Sequence, residues 1–330
     1  MIWGLFATLG HNMWTKEDQK LTFSENAWNK IVDAAHEAGI NTIILDLGEG
    51  VRWETHPELA KAGAWGREKI KSEVLRLRDM GIALVPKINL STCHDLWLGP
   101  YRTEISKPVY YQVVRDLINE CYDLFLEPEY IHLGMDEEGD LTHQVCYSNL
   151  IRYRKGDLLW HDLNWMFDCV RSTGATPWIW ADFCMNDFDN FVKNVSTENL
   201  LISPWYYFAF KEEHFRYHEE GSAGYINAQR YPYNFMNIKY EEDKPLLKLA
   251  RENMVPAAKA GYDMVPCTSD CYECEYNTPE LFEHIKFNAP EERIKGFMTA
   301  PWGHTVDANV EKILKNISLL AEAKKKYYGE

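Results

Sequence analysis

Eight short, almost continuously apolar runs divide this chain, and segments of helical period lie between most of them. Strands that are apolar on both faces are those of parallel sheets covered by helices, so this rhythm restricts the fold to the α/β class. The expected strands are 2–9, 41–47, 82–90, 130–134, 176–183, 200–206, 262–267 and 294–302. The expected helices are 24–38, 66–80, 109–125, 156–172, 244–260, 279–287 and 309–327. The first helix has Ser24 as N-cap, Trp28, Ile31, Val32 and Ala35 on one face, and Gly39 as its stop. The strand at 200–206 has no clear helix ahead of it. Eight strands in 330 residues predict a single (β/α)8 barrel over 1–330, with a long loop at 207–243 across one mouth. A doubly wound sheet would carry a glycine-rich phosphate turn after its first strand, and Gly48-Glu49-Gly50 does not supply one.

Charge narrows the partners. With 35 Lys plus Arg against 50 Asp plus Glu, the net charge is −15. That excludes binding to nucleic-acid phosphates and argues against an anionic membrane surface. No run approaches the roughly 18–20 apolar residues of a membrane span. The N-terminal run lacks a preceding positive charge and reads as a buried strand rather than a signal peptide, which makes a cytoplasmic location the expectation. The aromatic load is high, with 12 Trp, 19 Tyr and 14 Phe. Such residues in excess of core needs line sites for ringed ligands.

In an α/β barrel the chemistry sits where strands end. Those ends hold His11 and Asn12, then Asp46 and Glu49, then Lys87, Asn89 and His94. The fourth ends in His132-Leu-Gly-Met-Asp136-Glu137-Glu138, and the later ends hold Trp180 and Asp182, Trp205 and Tyr206, Thr268 and Asp270, and Trp302 and His304. Adjacent Asp136 and Glu137 leave a strand in different directions, so one can reach a leaving-group oxygen while the other lies beneath a sugar ring. Acids at this place also suit a helix N-terminus, a role that fits Glu138 and Asp140. Residue type and spacing alone leave chemistry and capping equally open for the pair.

The chain resembles the catalytic barrel of family 20 glycoside hydrolases, the β-N-acetylhexosaminidases. Their fourth-strand signature His-x-Gly-Gly-Asp-Glu is matched by His132 to Glu137 except at Met135. Asn41 through Asp46, Val51-Arg52-Trp53 and His56-Pro57-Glu58-Leu59 follow the family's second-strand pattern, and Gly81 through Asn89 with Thr92-Cys93-His94 follows its third. The resemblance implies a retaining exo-glycosidase that cleaves terminal 2-acetamido sugars by substrate assistance and needs no cofactor. In that scheme Glu137 is the general acid/base and Asp136 orients the acetamide. His94 and His132 position and tune the acid. Trp180, Trp205 and Trp302 wall the sugar, and Tyr206 and Asp270 hydrogen-bond the acetamide. The pattern departs from the family where it lacks an Arg over Ala7–His11, has Lys87 and Asn89 in place of acids, and carries His304 in place of a Glu. These departures imply altered sugar specificity, His304 bearing on the sugar hydroxyls, and leave a non-hydrolytic carbohydrate-binding barrel as the rival. A second rival is a metal or iron–sulfur enzyme using Cys267, Cys271 and Cys274, whose C-x3-C-x2-C spacing suits a cluster.

Overall fold

A computed structural model describes residues 1–10, 20–138, 153–211, 214 and 245–329. Its strands are β1 (Ile2–Thr8), β2 (Thr42–Asp46), β3 (Ala83–Lys87), β4 (Tyr130–His132), β5 (Thr176–Trp180), β6 (Leu201–Ser203), β7 (Asp263–Met264), β8 (Cys267–Thr268) and β9 (Gly296–Thr299). All pairings between them are parallel, in the order β7-β6-β5-β4-β3-β2-β1-β9-β8. β7 and β8 are two halves of one stave, interrupted at Val265-Pro266. On one side that stave donates from Val265 N to Ile202 O and from Cys267 N to Pro204 O. On the other it accepts from Lys295 N, Met298 N and Ala300 N. Pro266 has no N–H to give, which breaks the regular ladder without opening the ring. The result is the expected eight-staved (β/α)8 barrel.

The helices are α1 (Glu25–Glu37), α2 (Arg67–Asp79), α3 (Pro108–Leu124), α4 (Asp157–Thr173), α5 (Asp182–Asn186), α6 (Phe188–Asn194), α7 (Pro245–Lys259), α8 (Asn277–Asn288) and α9 (Val310–Tyr328). The Ser24 hydroxyl accepts from Ala27 N and starts α1, and Trp28, Ile31, Val32 and Ala35 form its buried face. Each such large apolar side chain taken from water contributes about 1.5–3 kcal/mol. The gap expected before the sixth strand is filled by two short helices, α5 and α6. The fifth strand correspondingly ends at Trp180, and Asp182 starts α5 rather than closing β5.

The apolar side chains separate into two layers. One lies between the sheet and the helices and includes Trp28, Trp53, Ile118 and Tyr206. The other fills the ring and includes Phe6, Ile44, Val85, Trp178, Trp180, Leu201 and Met298. Strand alternation makes this division, because successive side chains point to opposite faces. His11, Asn12, Asp140 and nearly all of the loop expected at 207–243 lie outside the described residues. Among the described helices none is long and apolar enough to cross a membrane.

Candidate active site

The turn after β4 brings the carboxylates together. Gly134, Met135 and Glu137 have φ values of 73°, 70° and 57°, so three of four consecutive residues take the left-handed conformation. Non-glycine residues held there cost on the order of 1–3 kcal/mol each, and such strain gathers at functional sites. At Gly134 a Cβ would run into the Asn89 side chain, so only glycine lets β4 approach the end of β3 so closely.

His94 bridges the two acids. Its Nε2 lies 3.3 Å from Asp136 Oδ2 and 3.2 Å from Glu137 Oε2. Asn89 Nδ2 donates to Asp136 Oδ1 at 2.8 Å. Burial opposes a charge on His94, but the Asp136 and Glu137 carboxylates raise its pKa well above the ordinary value. Burial likewise opposes a charge on Asp136, and the His94 charge, with Lys87 and Asn89 behind it, holds that carboxyl well below the usual range. Both shifts favour a carboxylate at Asp136 against the His94 Nε2–H. The two acids differ in access: the Asp136 side chain is 6% exposed and that of Glu137 is 35% exposed.

His132 occupies a different setting. It is buried between the rings of Trp178 and Trp180, at centroid distances of 5.4 and 5.1 Å. Its Nδ1 accepts from Gly134 N at 3.0 Å, which places the ring proton on Nε2. Burial, aided by the Lys87 charge, pushes its pKa well below the ordinary value, so it is a neutral support under the turn. Lys87 is itself paired with Asp46 at 2.6 Å inside the ring.

Aromatic rings form the wall. Trp302 packs on Phe6 at 4.9 Å, on Trp180 at 5.6 Å and on Tyr207 at 6.2 Å. Tyr207 stacks on Trp205 at 5.0 Å with 20° between planes. Trp205 Nε1 donates to Asp182 Oδ2 at 2.8 Å, and Glu137 N donates to Asp182 Oδ1 at 3.0 Å. Burial and the Asp136 and Glu137 charges push the Asp182 carboxyl up to about 8.

The structure thus gathers His94, His132, Asp136, Glu137, Trp180, Trp205 and Trp302, and it turns Tyr206 and Asp270 away from them. Tyr206 packs on Phe208 and Phe210 in the outer layer. Strand alternation puts 205 and 207 on the inner side, so Tyr207 takes the place expected for Tyr206. Asp270 turns toward the helices, where its Oδ2 pairs with Lys315 Nζ at 2.6 Å. His304 stands on a turn stitched to the end of β1, with Thr8 Oγ1 donating to Gly303 O and Thr305 Oγ1 donating to Thr8 O. Cys267, Cys271 and Cys274 do not converge as a ligand set. Among the described residues the one grouping of three ligating side chains is His94, Asp136 and Glu137. Burial raises the pKa of all three thiols.

Comparison with known proteins bears on the fold. No protein-family model matches the chain. A lacto-N-biosidase of Bifidobacterium bifidum is 26% identical in a 174-residue alignment that covers 44% of this chain and 15% of that protein. Among solved structures, a β-N-acetylhexosaminidase of Bacteroides fragilis superposes with a TM-score of 0.63 at 15% identity, covering 99% of this chain and 68% of that one. A Vibrio harveyi family 20 exo-β-N-acetylglucosaminidase superposes at 0.59 and 14% identity, covering 98% of this chain and 54% of that one. The chain shares the barrel fold of these glycosidases. In this barrel the acids after β4 stand beside His94, which follows β3, and under an aromatic wall. At this identity the likeness carries the fold alone. The chain spans only a small part of the lacto-N-biosidase it matches.

Proposed function

We propose that this protein is a hexosaminidase-like glycoside hydrolase that cleaves terminal 2-acetamido sugars. The observation that carries the reading is the unequal pair of acids on one histidine: a buried, ionised Asp136 and an accessible Glu137. Glu137 is the group able to meet solvent and a leaving-group oxygen, so it is assigned as general acid and then as the base for water. Asp136 is held by Asn89 and His94 on its two oxygens and is assigned to the substrate's 2-acetamido N–H. As that acetamide oxygen attacks the anomeric carbon, the nitrogen becomes positive, and a fixed carboxylate stabilises that charge without reorganising. The sugar's own oxygen is then the nucleophile and the product keeps its configuration, one of the exceptions to the two-opposed-carboxylates rule. Trp180, Trp205, Tyr207 and Trp302 are assigned to the apolar face of the sugar and the acetamide methyl.

The test is a set of aryl β-glycosides with and without the 2-acetamido group. Wild type is expected to turn over the acetamido members selectively. Glu137→Gln keeps the shape and removes the proton, so kcat should fall about 10²–10⁴-fold. Turnover of 2-hydroxy sugars alone would overturn the acetamide assignment. Tight sugar binding with no turnover on any substrate would favour a non-hydrolytic carbohydrate-binding barrel.

A further inference from the structure

Both backbone polar groups of Glu137 are held by side chains from neighbouring staves. The N–H donates to Asp182 Oδ1 at 3.0 Å, and the carbonyl accepts from Cys93 Sγ at 2.8 Å. The peptide so held is one of the left-handed residues of the turn, with φ at 57°. Asp182 is 3% exposed, and its other oxygen accepts from the Trp205 indole. A single buried carboxyl therefore joins the backbone of the proposed acid to an aromatic wall residue from a different strand.

We infer that Asp182 is a positioning residue that sets the aim of Glu137 and registers it against Trp205. The inference rests on the function proposed above for Glu137. The physical need is clear. A glutamate in a left-handed turn has no regular ladder to hold its N–H, and an unpaired buried N–H costs about 1–3 kcal/mol. Without Asp182 the turn relaxes toward an ordinary conformation, and the carboxyl swings from its place between His94 and the mouth. A misplacement of about 1 Å at a reacting group costs on the order of 10²-fold in rate. Asp182 reaches Glu137 through the backbone, and Trp205 is also held by its stacking on Tyr207, so substrate binding, which depends on the walls and on Asp136, should change much less than turnover.

Asp182→Ala and Asp182→Asn separate this role from a merely structural one. Asparagine keeps Oδ1, so it can still accept from Glu137 N, but its amide faces the Trp205 N–H as a second donor. Asp182→Ala is expected to lower kcat about 10²-fold, with KM within about 3-fold of wild type. Asp182→Asn should recover at least 10-fold of that loss. An unchanged kcat in Asp182→Ala, or an asparagine variant no better than alanine, overturns the inference. Should the alanine variant not fold, the amide proton of Glu137 in 15N-labelled protein decides. In wild type that resonance should shift as Asp182 loses its proton near pH 8, and in Asp182→Asn it should not; a wild-type resonance indifferent to pH overturns the inference. The amide measurement needs no turnover, so an inactive wild type would sink the function proposed for Glu137 while leaving the contact itself testable.

Discussion

The Lys87 ammonium lies 2.6 Å from the Asp46 carboxylate, and both side chains are shut inside the ring, at 0% and 2% exposure. Removing one partner of such a pair leaves an uncompensated buried charge, whereas replacing both with apolar groups is often neutral. Lys87→Met should therefore destabilise the protein by about 3–5 kcal/mol, and Lys87→Met with Asp46→Leu should regain most of that. Urea unfolding of the two variants checks this. A single variant as stable as wild type would show that the pair is not the bond holding β2 to β3 at this depth.

Asp136→Asn tests the acetamide role. The lost interaction strengthens as the ring closes, so kcat on 2-acetamido substrates should fall far more than affinity. A thiazoline mimic of the cyclised intermediate should inhibit wild type and bind the variant more weakly. If the thiazoline leaves wild type unaffected, Asp136 does not act through the 2-substituent.

The raised Asp182 carboxyl makes a statement about stability and pH. An unfolded aspartate loses its proton from about pH 4, whereas the native group keeps it until about 8. Its contribution is therefore fully present below pH 4 and is lost as the pH rises toward 8. Asp182→Asn cannot ionise, so its Tm should fall less than that of wild type between pH 5 and 8. The raised His94 adds a slope of the same sign, but it is common to both proteins and cancels in the comparison. Parallel Tm curves would mean that Asp182 is ionised at neutral pH.

Arg154 ties the segment before α4 to the end of the turn after β4. Its guanidinium meets Glu138 at 2.8 Å, Asp162 at 3.0 Å and the Tyr110 hydroxyl at 2.7 Å, all of them buried. Arg154→Met strands two buried carboxylates, so a loss of about 3–5 kcal/mol is expected. Arg154→Lys should not restore it, because an ammonium cannot reproduce the planar fork. Chemical denaturation of both variants reads the difference, and a loss under about 1 kcal/mol for Arg154→Met would refute the clamp.

How much of this was legible beforehand differs from residue to residue. The apolar runs marked every stave of the barrel, because a strand buried on both faces must be apolar throughout. They also placed His94, His132, Asp136 and Glu137 at strand ends on the same mouth. The run at Thr176–Phe183 is equally apolar across the point where β5 ends and α5 begins, so composition could not mark that boundary. Tyr206 and Tyr207 are neighbours of the same type, and only the phase of the strand decides which faces inward. Asp270 stands at a strand end like the other candidates, and its partner Lys315 is remote in sequence. The same holds for the contacts of Asp182 with Glu137 and Trp205, and for the charge state of His94. Each depends on burial and on groups brought together across the ring, and those are properties of the closed barrel. Local sequence determined the staves and the types of side chain at their ends, since periodicity and burial act over a few residues. The tertiary structure decided which of those side chains meet and which carry charge, since electrostatic coupling depends on distance through space.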